Sequence, residues 1–125
     1  MIEAKKRVLV IGLEPTLVDY SLFPDLNAEK VLTALKADQA NLNALGYDVQ
    51  LCLIDLGRTA EAVVLQKLSQ NTFDCILIGA GVRTVPAHLL LFEKLINVVH
   101  HNAPTAKLCF NTKPSDTAEA VQRWV

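Results

Sequence analysis

The polar residues best suited to chemistry follow the ends of four short apolar runs. Glu14 follows the first run, and Asp55 and Arg58 follow the second. The third run leads into residues 79–83 and the fourth into residues 111–113. Arginine and lysine bind phosphate and carboxylate groups, while carboxylates and amides orient the rest of a small molecule. The pattern therefore predicts a site for a small anionic metabolite that bears a phosphate or a carboxylate.

The turn Gly79-Ala80-Gly81-Val82-Arg83 is the most suggestive of these segments. Glycines after a strand let a ligand approach the backbone closely, and an arginine at the start of a helix can clamp a phosphate or carboxylate. The same glycines also suit a plain strand-to-helix turn, in which Arg83 pairs with an acid or faces water. The predicted ligand-binding residues are Gly79, Gly81, Arg83, Glu14, Asp55, Arg58, Asn111 and Lys113.

Glu14 and His88 are the two candidates for acid–base catalysis. His88 opens the third predicted helix near these turns, and an imidazole exchanges protons near neutral pH. His100 and His101 fall in the last turn of the same helix, where a cationic ring is favoured by the helix dipole, so a structural role is expected for them. No nucleophile with a neighbouring base is evident. The sequence leaves open whether any reaction is catalysed.

No metal site and no cofactor are predicted. The chain has three cysteines but no C-x-x-C pair and no Cys/His ligand spacing, which favours reduced thiols packed in the core, at Cys52, Cys75 and Cys109. Only Gly12 of the dinucleotide-binding pattern G-x-G-x-x-G follows the first run, and the P-loop pattern is absent. A phosphoaccepting receiver domain needs an acidic acceptor after the third run, where Gly79 stands instead.

Four strands are predicted to position these residues. Each apolar run is rich in Val, Ile, Leu or Cys without strict polar–apolar alternation, which is typical of strands covered on both faces of a parallel sheet. The predicted strands are residues 7–12, 48–55, 74–79 and 107–111. Apolar residues at helical spacing predict four intervening helices at about residues 25–45, 59–70, 86–101 and 114–124. Gly46 is the expected stop of the first helix, and Thr59 and Ser115 are expected caps.

This alternation predicts a single α/β domain over residues 1–125. Right-handed crossovers make a three-layer α/β/α sandwich the expected architecture, with a four-stranded parallel sheet of order 2-1-3-4, flavodoxin-like or Rossmann-like. Ligands of such sheets bind beyond the carboxyl ends of the strands, where the winding reverses. The predicted site is therefore the crevice between the first and third strands.

Two segments predict a homo-oligomer. The third helix is apolar nearly all round, so it is expected to bury a second face against a partner through Leu89, Leu91 and Phe92. The long first loop carries Tyr20 and Phe23, which suit either a lid over the crevice or, by slight preference, an arm at a subunit interface. The alternative function is thus a non-catalytic homo-oligomeric interaction module with a receiver-like shape.

Composition limits the partners of this 125-residue chain. It is 51% hydrophobic and 20% charged, which is incompatible with disorder. The formal charge of −1 gives no general attraction to nucleic acid, so no nucleic-acid partner is predicted. The apolar runs are too short for a membrane span, so no membrane partner is predicted and a cytoplasmic location is expected.

Five segments together resemble a family of short, stand-alone Rossmann-like or flavodoxin-like proteins of uncharacterised function. They are residues 8–15 (VLVIGLEP), 51–58 (LCLIDLGR), 74–83 (DCILIGAGVR), 91–97 (LFEKLIN) and 110–124. The resemblance covers nearly the whole chain and implies the same single-domain α/β fold. It implies no activity, cofactor or catalytic residue.

Overall fold

Four parallel strands form a single sheet in the computed structural model, which describes residues 5–125. The strands are β1 (Arg7–Leu13), β2 (Asp48–Ile54), β3 (Cys75–Ile78) and β4 (Lys107–Phe110). Their order is β2-β1-β3-β4, and all three neighbouring pairs are parallel. The predicted α/β fold, strand order and strand positions are confirmed.

Five α-helices accompany the sheet in the described residues. They are α1 (Ala28–Ala44), α2 (Ala60–Gln70), α3 (Ala80–Arg83), α4 (Leu89–Asn102) and α5 (Thr117–Gln122). Short 3-10 turns at Pro15–Leu17, Pro86–His88 and Pro114–Asp116 follow β1 and precede α4 and α5. The helix predicted for residues 86–101 is therefore a 3-10 turn followed by α4. The short helix α3 was not predicted.

The helices cover both faces of the sheet because successive side chains of each strand point to opposite sides. Leu9 and Ile11 of β1 face one core, which they share with α2, α3 and α4. Val8 and Val10 face a second core, which they share with α1 and α5. The result is the predicted three-layer sandwich, with β1 and β3 at its centre.

Helix ends correct two of the predicted caps. Asn27 begins α1 by accepting the N–H of Lys30, and Gly46 follows this helix with a φ of +99°, as predicted. Thr59 is the N-cap residue of α2, as predicted, but the prediction of a capping hydrogen bond from its side chain is wrong, because its hydroxyl donates to Asp55 instead of accepting from the helix. The prediction for Ser115 is also wrong, since Asp116 is the residue that accepts backbone N–H groups at this turn.

Helix α4 buries one face within its own chain. Leu91, Leu95 and Val99 point into the core. The opposite face is exposed and mostly polar, with Glu93, Lys94, Asn97, His100 and His101 beside the exposed Leu90. The prediction of a helix that is apolar nearly all round is therefore wrong. Its sequence is rich in apolar residues because half-buried ones, such as Ile96 and Val98, flank the buried stripe.

The residues predicted to contact a partner differ in their exposure. Leu89 is 59% exposed, but Leu91 is only 5% exposed and packs into the core of its own chain, so it cannot contact a partner from there. Phe92 packs edge-on against Phe110, with ring centroids 5.9 Å apart. In the first loop, the Tyr20 hydroxyl donates to the carbonyl of Pro15 over 2.6 Å, and Phe23 is half-buried.

No helix in residues 5–125 combines the length and the apolar composition needed to cross a bilayer.

Candidate functional site

The loops after β1 and β3 lie side by side at the carboxyl edge of the sheet. Ile11 pairs with Ile78, and the N–H of Gly79 donates to the carbonyl of Ile11 over 2.9 Å. Glu14 therefore leaves β1 beside the turn that contains Arg83. Residues after β2 flank this position on one side and residues after β4 flank it on the other.

Arg83 is a half-buried cation held by the end of β4. Its Nη2 donates to the carbonyl of Asn111 over 2.5 Å, and its Cζ lies 5.6 Å from the centroid of the Phe110 ring. Its Nε is buried and has no acceptor within residues 5–125. The ion pairs of this part of the chain involve other residues, so the guanidinium has no carboxylate partner there.

Asn111 is buried beside Arg83, and both polar atoms of its side chain are hydrogen-bonded within the chain. Its Oδ1 accepts the N–H of Ala80 and its Nδ2 donates to the hydroxyl of Thr117, each over 2.9 Å. The Thr117 hydroxyl lies 2.7 Å from Asp38 Oδ2 and 2.9 Å from the carbonyl of Pro114. Asn111 is thus a buried structural residue that positions Arg83 through its carbonyl.

Thr117 and Asp38 were missed by sequence reasoning. They are 79 residues apart in the chain, so no local pattern joins them. Burial raises the pKa of Asp38, while the Thr117 hydroxyl opposes this shift and the Asp116 carboxylate adds to it. The chain of contacts from Arg83 through Asn111 and Thr117 to Asp38 ties the edge of the sheet to α1.

Asp55 forms the turn that starts α2. Its carboxylate accepts the N–H groups of Gly57, Thr59 and Ala60 at 2.9–3.1 Å and the Thr59 hydroxyl at 2.7 Å. These hydrogen bonds lower the pKa of Asp55 to about 2. Both carboxylate oxygens are therefore occupied within the chain, and Asp55 has a structural role at this edge.

The two glycines of the predicted site differ in their surroundings. The N–H of Gly79 donates to the carbonyl of Ile11 in β1, and the carbonyl of Gly79 accepts the N–H groups of Val82 and Arg83. Gly81 is exposed, and its carbonyl lies 3.2 Å from Nδ1 of His88. Because a carbonyl only accepts, Nδ1 of His88 carries the proton, and Nε2 of the neutral ring is left as an acceptor.

The remaining predicted residues keep their side chains available. Glu14 is half-buried beside Tyr20, whose pKa is raised first by burial and then by the Glu14 carboxylate. Arg58 and Lys113 are exposed and make no ion pair within the described residues. At this edge, the side chains of Arg83, Glu14, His88, Arg58 and Lys113 are thus available to a ligand. Asp55 and Asn111 instead bind backbone groups of the neighbouring turns.

Two surface depressions lie away from this edge. One, of about 480 Å³, lies between α2 and α4 and is lined by Glu61, Leu90 and Lys94 among others. The other, of about 460 Å³, runs along the first turns of α1. Residues 5–125 contain no group of three or more His, Cys, Asp or Glu side chains arranged to hold a metal ion.

Comparison with known proteins gives one partial match. No protein-family model matches the chain. A segment is similar to tRNA-specific adenosine deaminase 1 of Schizosaccharomyces pombe, with 38% identity over 55 residues, which is 42% of this chain and 14% of the relative. Zinc-dependent nucleobase deaminases carry the patterns H-x-E and P-C-x-x-C, and this sequence contains neither. The chain spans a small part of that relative, and the similarity brings no catalytic residue with it.

Proposed function

We propose that this protein binds a small anionic molecule, bearing a phosphate or a carboxylate, at the carboxyl edge of the sheet between β1 and β3. The observation that carries the proposal is the half-buried Arg83 guanidinium, which has no carboxylate partner in the described chain. A cation removed from water is costly unless it is paired. A bound anion would supply that pairing through charge-assisted hydrogen bonds.

The neighbouring groups suit recognition of the rest of such a molecule. The Asn111 carbonyl holds one nitrogen of Arg83 and so limits the directions in which the guanidinium can point. Lys113 and Arg58 add positive charge on either side, while Glu14 would bind a hydroxyl or an amine of the ligand. If the bound molecule reacts, Glu14 and His88 Nε2 are the groups that would exchange a proton with it.

A thermal-shift experiment tests this function. The probes are inorganic phosphate, adenosine monophosphate and citrate, added to wild type, Arg83→Ala and Arg123→Ala. Arg123 is the matched control because it also donates to a carbonyl at the end of β4, that of Phe110, over 3.1 Å. We expect at least one probe to raise the melting temperature of wild type and of Arg123→Ala, but not that of Arg83→Ala. The proposal fails if no probe stabilises wild type or if Arg83→Ala responds equally.

A second candidate function is the homo-oligomeric interaction module. It is favoured by adjacent large apolar side chains at the surface, since Leu89 is 59% and Leu90 is 69% exposed. Light scattering over a range of concentrations tests it, and a monomer at every concentration would exclude it. For either function the free, buried state of Cys52, Cys75 and Cys109 supports a cytoplasmic location, where thiols stay reduced.

A further inference from the structure

The outer edge of strand β2 is the surface best suited to bind a second copy of this chain. We propose that two copies pair their β2 strands antiparallel about a two-fold axis at Cys52, which joins two four-stranded sheets into one. This proposal rests on the second candidate function, to which it gives a surface, and it does not involve Arg83, which carries the anion proposal.

Hydrogen bonding to β1 determines which backbone groups of β2 face outward. The N–H of Asp48 donates to the carbonyl of Lys6 over 2.9 Å, and the N–H of Glu14 donates to that of Ile54 over 2.8 Å. In a parallel pair, the residues of a strand that bond to its neighbour alternate along the chain. The residues that face β1 are thus Asp48, Gln50, Cys52 and Ile54, and those that face outward are Val49, Leu51 and Leu53.

Helix α1 covers the first of the outward residues. Asn43 Oδ1 accepts the N–H of Val49 over 3.3 Å, and Gln39 Nε2 donates to the carbonyl of Val49 over 3.2 Å. No hydrogen bond of the described chain uses the outward N–H and carbonyl groups of Leu51 and Leu53. Two donors and two acceptors therefore remain free on this edge.

In one register, the four free backbone groups of one copy can form hydrogen bonds with the same four groups of a second copy. When Leu51 of one copy lies opposite Leu53 of the other, each of the two pairs exchanges two hydrogen bonds, and the arrangement has two-fold symmetry. A two-fold axis at Leu51 instead would place Leu53 opposite Val49, whose groups are already bound to Asn43 and Gln39. The side chains of α1 thus exclude the register centred on Leu51, and only the register centred on Cys52 pairs the four free groups with one another.

The charges at the ends of β2 favour the antiparallel direction. No charged residue and no proline lies between Asp48 and Asp55, so the edge lacks the usual protection against pairing. Asp48, which lies 3.5 Å from Arg7 Nε of its own chain, would also lie opposite Leu56 of the other copy. It would then be close to Arg58, which is exposed and has no ion pair in the described chain. Leu56 is 52% exposed in the single chain and would be covered.

The opposite edge of the sheet is poorly suited to pairing. Strand β4 has only four residues, and its first residue, Lys107, is exposed. The carbonyl of Phe110 on its outward side accepts from Arg123 Nη2 over 3.1 Å. Because the edge of β4 is short, carries a charge and has one of its carbonyl groups already hydrogen-bonded, the second copy pairs at β2.

Light scattering of wild type, Leu51→Pro and Leu51→Val tests the proposal. Proline removes the outward N–H of residue 51 but no hydrogen bond of the sheet, and valine keeps that N–H. We expect wild type and Leu51→Val to dimerise at micromolar concentration, and the dissociation constant of Leu51→Pro to rise about tenfold or more, since two hydrogen bonds are lost per dimer. Circular dichroism and melting check that the variants fold.

The outcomes distinguish a failure of the β2 pairing from a failure of the homo-oligomeric function. Equal dimerisation of Leu51→Pro and Leu51→Val would overturn the pairing at β2. Loss of the dimer only in the double variant Leu89→Ser/Leu90→Ser would also overturn it, while leaving the homo-oligomeric function intact. A monomeric wild type at every concentration would overturn both. If Leu51→Pro does not fold, hydrogen exchange of wild type decides: the amides of Leu51 and Leu53 must become protected as the dimer forms, and exposed amides in the dimer contradict the proposal.

Discussion

The buried side-chain amide of Asn111 donates to the hydroxyl of Thr117 over 2.9 Å. That hydroxyl lies 2.7 Å from Asp38 Oδ2, so a single threonine links the end of β4 to the middle of α1. Asn111 also holds Ala80 and, through its carbonyl, Arg83. Because a buried polar network is stabilising only when each member has its partners, the position of Arg83 depends on residues outside the site.

Replacement of Thr117 by valine tests this network. Thr117→Val keeps the shape of the side chain, which is 1% exposed, but removes the acceptor of Asn111 and the donor to Asp38. We expect the free energy of unfolding to fall by about 1–3 kcal/mol, because a buried donor is left without a partner. Urea denaturation measures this. Thr105→Val, at an exposed position, is the control, and an equal effect of both substitutions would contradict the role of Thr117.

The pKa of Asp38 predicts a pH dependence of stability. Since burial raises this pKa in the folded protein above its ordinary value of 3.8, the folded state binds a proton more readily than the unfolded state. The contribution of Asp38 is then most favourable below pH 3.8 and is lost as the pH rises through the folded pKa. Asp38→Asn retains an acceptor for Thr117 but does not ionise.

We therefore expect wild type to lose stability relative to Asp38→Asn as the pH rises from 3.8. Melting temperatures of the two proteins across that range measure the difference, and Asp25→Asn removes the same charge from an exposed loop as a control. A difference between wild type and Asp38→Asn that stays constant with pH would show that burial does not shift this carboxyl.

The fold was predictable because its signals are local. The apolar runs of β1 to β4 reflect strands buried on both faces, and strand–helix alternation leaves few possible strand orders. The apolar appearance of α4 was misleading for a related reason. A sequence shows which residues are apolar, but not that Phe92 and Ile96 pack against the core while Glu93 and Lys94 face water.

The meeting of the loops after β1 and β3 at one edge of the sheet was predictable, but the hydrogen bonds of the residues of the candidate site were only partly so. Parallel strands bring the loops after β1 and β3 to one edge, as expected for Glu14 and Arg83. Whether a side chain there is free depends on partners distant in sequence, as for Asn111, which bonds to Ala80 from 31 residues away. The role of Asp55 had a local signal, since Gly57 and Thr59 follow it at the spacing of a side-chain turn.

Alanine substitutions at Gly46 and Gly81 distinguish an effect of backbone conformation on stability from an effect of side-chain packing. A Cβ added to Gly46 or to Gly81 would meet no atom within 4 Å, but only Gly46 has a positive φ, of +99°. Gly46→Ala should lower the free energy of unfolding by about 1–2 kcal/mol, because side chains disfavour this conformation. Gly81→Ala should change it by less than about 0.5 kcal/mol. Chemical denaturation compares the two variants, and equal losses would rule out a conformational origin.

The three thiols should be inert in the folded protein. All are buried, and the sulfur atoms of Cys75 and Cys109 lie 3.3 Å apart. Burial raises the pKa of Cys52 to about 11, which leaves little of the reactive thiolate at neutral pH. A thiol reagent should modify all three cysteines in urea and none rapidly without it. Rapid labelling of the native protein would mean that a strand opens more readily than its burial implies.

The turn after β2 predicts a loss of stability in acid. Hydrogen bonds from Gly57, Thr59 and Ala60 lower the pKa of Asp55 from 3.8 to about 2 in the folded protein, so its ionised form is favoured by folding. This contribution is complete above pH 3.8 and is lost as the pH falls from 3.8 towards about 2. Asp55→Asn keeps one acceptor and cannot ionise, so its melting temperature should lie a few degrees below that of wild type at neutral pH. The gap should close as the pH falls through that window, and a gap that persists in acid would show that the hydrogen bonds, not the charge, carry the stabilisation.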